Sequence, residues 1–147
     1  MSRQSDVIKS SKNWFDNAEL SSSKHDEILI WLHAQINSNG FLQKQINSGF
    51  EVGQIQKIEI ERPIMRGSSI VGFADLSATF DVWPKGQGFD FRQSIVFLFE
   101  VKTKVNLGET IRQIKYYGGQ NWFVCAPDFP NKNLLYENDI GFIPYEP

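Results

Sequence analysis

A chain of 147 residues, 41% hydrophobic and carrying 12 Phe and 4 Trp, can bury the core of one domain. A formal charge of -2 argues against a protein that grips nucleic acid through a broad basic surface, and the single cysteine, Cys125, excludes an internal disulfide and any zinc site built on paired cysteines. No stretch approaches the ~20 apolar residues that span a bilayer, and Met1-Ser2-Arg3-Gln4-Ser5-Asp6 lacks the apolar centre of a signal peptide, so the expectation is a cytoplasmic protein with no membrane partner.

Residues 1–23 are polar and serine-rich, with Trp14, Phe15 and Leu20 as the main large apolar groups, and are expected to form a loosely attached arm. A helix is predicted over 24–37. Ser23 is placed to cap it, Glu27 suits its first turn, and Ile28, Leu29, Trp31, Leu32 and Ile36 make one broad apolar face. Near-alternation over 54–61 predicts a half-buried strand that Arg62-Pro63 ends. A second strand is expected over 69–82, then the breaker-rich loop Trp83-Pro84-Lys85-Gly86-Gln87-Gly88, and a third over 91–103.

Leu107, Ile111 and Ile114, spaced four and three apart, predict a helix over 107–117 that Gly118-Gly119 stops. The apolar run 121–126 reads as a strand closed by Pro127, with Cys125 a small buried residue within it. Strand, helix and strand in succession imply a parallel crossover. The tail over 127–147 is expected to stay irregular, with Leu134, Leu135, Phe142 and Ile143 available for packing. The aromatics Phe73, Phe97, Phe99 and Trp122 are assigned to the core.

The chemistry concentrates on the second and third strands. In Ile95-Val96-Phe97-Leu98-Phe99-Glu100-Val101-Lys102, alternation puts Glu100 and Lys102 on one face, and Asp75 interrupts an apolar strand upstream. A buried lone carboxylate costs several kcal/mol, so it normally has a cation, a hydrogen-bond partner or a metal. Two acids and a lysine delivered by two apolar strands point to a divalent-metal site. The plainer reading of the same residues is a salt bridge on a partly exposed sheet face.

Asp75 followed by Glu100-Val101-Lys102 resembles the signature of the PD-(D/E)XK nuclease superfamily, and Gln113-Ile114-Lys115-Tyr116-Tyr117 resembles the glutamine-then-tyrosine motif of its RecB-like branch. Ala74 stands where a proline often precedes the first acid. The resemblance covers residues 24–126 and implies an α/β domain with a restriction endonuclease-like αβββαβ core, a mixed central sheet flanked by helices. It implies Mg2+ or Mn2+ held by Asp75, Glu100 and the Val101 carbonyl. Helix one offers His25 or Glu27 as a further group, Glu27 being the metal-ligand candidate. Lys102 and Gln113 complete the catalytic set, and Arg112, Lys115 and Tyr117 are the candidates for holding the backbone of DNA.

The function implied is hydrolysis of phosphodiester bonds in DNA. Two alternatives stay open: a non-catalytic nucleic-acid-binding or interaction module on the same fold, and an accessory nuclease subunit active only in a complex. A chain this short covers little of a duplex, so a homodimer is a further expectation.

Overall fold

The computed structural model describes residues 23–147, and the expected arm, except for Ser23, lies outside them. Helix α1, Ser23–Ile36, buries His25, Ile28, Leu32 and Ile36, one residue from each turn. A single 3-10 turn over Leu42–Gln45 leads into the hairpin of β1, Phe50–Arg66, and β2, Ser69–Pro84. Strand β3 spans Gln93–Val101 and helix α2 spans Leu107–Tyr117. Asn106 caps α2 by accepting the Glu109 N–H, and Gly118, with φ 78°, stops it at the predicted residue. Strand β4, Trp122–Ala126, is buried throughout.

Five strands form one mixed sheet in the order β1-β2-β3-β4-β5, where β5 is Gly141–Pro144. The pairs β1/β2 and β2/β3 are antiparallel, while β3/β4 and β4/β5 are parallel. Alternation divides the core between two faces. Phe97, Phe99, Val101, Phe123 and Cys125 pack with Ile28, Leu32 and Ile36 of α1. Trp122, Val124 and Ala126 pack with Ile114 of α2. The molecule is thus an α/β fold with helices on both faces of a mixed sheet. No helix among the described residues is long and apolar enough to cross a membrane.

Several expectations require correction. The tail is not irregular: α3, Asn133–Tyr136, leads to β5, which adds to the sheet beside β4 and buries Phe142 and Ile143. A four-residue strand is too short to show a period, and Pro144 sits at its end, where a missing donor costs little. Pro63 does not end β1, which continues to Arg66, because β1 is an edge strand and tolerates proline. Phe73 is not core but about half exposed.

The hairpin also changes face midway. Leu76 belongs to the α1-side core, whereas Ala74 packs with Ile64 and Ile114 on the α2 side, although residues two apart in a regular strand share a face. Across the ladder, between the pairs Ile60↔Leu76 and Arg62↔Ala74, Glu61 has a φ of 58°. A non-glycine residue in the left-handed region reorients its neighbours, and the residue beside this irregularity is Asp75.

Candidate functional site

The candidate side chains gather where β2 and β3 part. Their ladder ends at Leu76↔Phe99. One residue further on, Asp75 no longer opposes Glu100 in a regular pair; its Oδ2 instead accepts the Val101 N–H at 2.7 Å. A carboxylate replaces a strand carbonyl as the acceptor, so the fork opens without orphaning the Val101 donor. The carbonyl of a strand residue lies along the same edge as its N–H, which turns the Val101 carbonyl toward Asp75 as well.

Glu100, between the two α1-facing residues Phe99 and Val101, points to the α2 side. It is 6% exposed, and its Oε1 has no hydrogen-bond partner among the described residues. Its Oε2 lies 3.6 Å from the Lys102 ammonium. Burial, reinforced by the nearby Asp75 carboxylate, raises the Glu100 pKa well above its ordinary value, and Lys102 opposes that shift. A buried acid with one oxygen unsatisfied carries an uncompensated cost.

From Lys102 a chain of contacts runs into α2. Its Nζ donates to Gln113 Oε1 at 2.9 Å, and Gln113 Nε2 donates to the Tyr117 hydroxyl at 3.1 Å. The spacing of four puts Gln113 and Tyr117 on one helical face. Tyr117 packs over Gly72 of β2, and burial, with Glu100 nearby, pushes its phenol up to about 12.

On the other side, His25 Nε2 of α1 lies 3.5 Å from Asp75 Oδ2, and the two side chains are 5% and 13% exposed. Of the two helix-one candidates, the fold therefore brings in His25. Glu27, between the buried His25 and Ile28 in sequence, turns away from their stripe and is exposed. The signal lay in the sequence: His25 stands three and seven residues before Ile28 and Leu32, on the stripe itself. Arg112 and Lys115 project from the exposed side of α2, outside the hydrogen-bonded chain. Arg66, at the end of β1, reaches α2, donating to the Tyr116 carbonyl and lying over the Tyr116 ring. Sequence reasoning passed over it because its partner is 50 residues away.

No family model, curated protein or solved structure matches this chain. Any functional reading therefore stands on the site. Among the described residues no three His, Cys, Asp or Glu side chains form a cluster able to hold a metal ion. What is gathered is two carboxylates with a backbone carbonyl, a lysine, a glutamine and a histidine.

Proposed function

We propose that this chain is a metal-dependent nuclease of the PD-(D/E)XK type that hydrolyses phosphodiester bonds in DNA. The observation that carries the reading is the unpartnered, buried Glu100 Oε1 beside Asp75, with Lys102 held at the same point by Gln113. Adjacent acids are costly, and an ordinary surface salt bridge would leave neither oxygen buried and unsatisfied. The element order, with one helix before the hairpin and one between β3 and β4, supports the same reading.

The residues fit a hard divalent cation by donor type. Asp75 and Glu100 supply carboxylate oxygens and Val101 a carbonyl, a set that leaves coordination positions to water and substrate and suits Mg2+ or Mn2+. Glu27 is not part of this set. A bound cation would activate a water and neutralise charge on the scissile phosphate.

The protein's own groups do the rest. Gln113 Oε1 and Glu100 Oε2 hold the Lys102 ammonium as a donor beside the acids, where it can bind a phosphate oxygen and stabilise the charge that grows there. Tyr117 orients Gln113 through the Gln113 amide. His25 Nε2 and the Val101 N–H both approach Oδ2 of Asp75 and together hold that carboxylate in place. In hydrolysis the oxygen of water joins phosphorus, one bridging P–O bond breaks, and the departing oxygen takes up a proton.

The test is incubation of the purified protein with labelled single-stranded, duplex and branched DNA in Mg2+, Mn2+ or EDTA, beside Lys102→Ala and Asp75→Ala. Metal-dependent cutting that both substitutions abolish is the expected result. If nothing is cut in either metal, autonomous catalysis is wrong.

A further inference from the structure

We infer that the exposed ring of Tyr116, backed by Arg66, is a stacking platform for a base of single-stranded nucleic acid beside the catalytic groups. This deepens the nuclease reading and rests on it. Tyr116 is the penultimate residue of α2 and is 55% exposed, although a ring of its size gains by burial. The Arg66 guanidinium lies 4.6 Å from the ring centroid and also donates to the Tyr116 backbone carbonyl. A cation therefore covers one side of the ring and ties the hairpin tip to the last turn of α2, which leaves the ring held in place and its remaining surface open.

Position links this platform to the site. The Tyr116 and Tyr117 ring centroids are 6.3 Å apart, and the Tyr117 hydroxyl reaches Lys102 through Gln113. A strand whose phosphate met Lys102 would have a nearby base within reach of Tyr116. Charge favours an unpaired strand over a duplex. With 15 Lys and Arg outweighed by 17 Asp and Glu, the chain has no net positive charge to spend on paired backbones, whereas stacking needs only a π face and tolerates any base. The guanidinium behind the ring adds a cation–π contribution and a positive charge for the adjoining phosphates. Every base of a duplex is already stacked, so the platform discriminates against it.

A matched control exists in the same chain. Phe89 is also about half exposed and carries the Arg92 guanidinium 4.1 Å from its ring centroid, but its ring packs edge-on against Trp83 at the far end of β2, roughly 25 Å from Asp75 at ordinary strand rise.

The experiment measures fluorescence anisotropy of labelled oligo-dT and of a duplex of equal length in EDTA, and cleavage of both in Mg2+. The proteins are wild type, Tyr116→Ala, Tyr116→Trp, Arg66→Ala and Phe89→Ala, with circular dichroism as a check on folding. Tyr116→Ala should weaken oligo-dT binding about 10-fold and raise KM for the single strand with kcat nearly unchanged. Tyr116→Trp should retain binding, Arg66→Ala should lose part of it, and Phe89→Ala should behave as wild type. Wild-type oligo-dT affinity in Tyr116→Ala, or an equal loss on the duplex, would overturn the platform. If no substrate is cut but Tyr116→Ala still releases oligo-dT selectively, the nuclease reading fails and the platform stands.

Discussion

The ring of Tyr117 occupies the space that a side chain at Gly72 would need: a Cβ there would lie 2.7 Å from the Tyr117 hydroxyl oxygen and closer to the ring itself. Helix α2 thus approaches β2 closely at this glycine, and the approach sets where Tyr117, Gln113 and then Lys102 can stand. Gly72→Ala should cost about 1–3 kcal/mol of stability by overpacking. It should also reduce cleavage by displacing the hydroxyl that orients Gln113. In Gly72→Ala/Tyr117→Ala the clash is gone, so denaturant melts should show the double variant no less stable than Tyr117→Ala alone. Simple additivity of the two losses would refute the contact.

Lys102 and Gln113 should separate in their effects. Lys102→Ala removes the ammonium beside the acids and should reduce the cleavage rate by about 10²–10⁴, the range for a positioned proton-transfer or charge-stabilising group. Gln113→Ala leaves that ammonium with Glu100 at 3.6 Å as its remaining anchor and should cost less. Single-turnover rates with unchanged thermal stability would support this order, whereas equal losses would make Gln113 more than a positioning residue.

The strands that carry the candidate site were legible in sequence because alternation is a local property: Glu100 and Lys102 had to share a face, and Asp75 stood out in an apolar run. The bounds of α2 were legible for a similar reason, from three apolar residues in phase and two glycines after them. What escaped depends on distant partners. The change of face at Asp75 goes with Glu61 across the ladder, and the exposure of Phe73 two residues away follows no local pattern in the strand. Strand β5 pairs with β4 and sends Phe142 and Ile143 to opposite cores, but four residues are too few to show that alternation as a pattern. His25 was within reach of pattern reasoning, since it lies on the apolar stripe, whereas Glu27 became a metal-ligand candidate only through the family resemblance, and the helix dipole accounts for it on an exposed turn.

Cys125 should be chemically silent in the folded state. It is fully buried in the α1-side core, and burial pushes its thiol up to about 12, so little thiolate forms at neutral pH and no reagent can reach it. Titration with a disulfide exchange reagent should show no reaction in native buffer and one thiol after unfolding in guanidinium. Cys125→Ser should lower stability by about 1–3 kcal/mol, because a hydroxyl buried there lacks a partner that a thiol can do without.

The strongest prediction about the acids concerns stability rather than turnover. Because Glu100 binds its proton more tightly in the folded chain than in the unfolded one, folding favours the protonated acid. In metal-free buffer the native state is therefore helped by this group at low pH, and the help is lost as pH rises from the ordinary value of 4.5 toward the raised folded one. Glu100→Gln removes the titration and the repulsion with Asp75, so its melting temperature minus that of wild type should grow as pH rises through this window. Divalent cation should reverse the ranking. At 100 times its dissociation constant a ligand specific for the folded state adds about 2.7 kcal/mol, which for a domain of this size raises the melting temperature by about 5–10 °C. Scanning calorimetry in Mn2+ should show that rise in wild type and not in Glu100→Gln or Asp75→Asn. A rise of equal size in all three would mean that the cation binds elsewhere, and that Asp75 and Glu100 are only a costly structural pair.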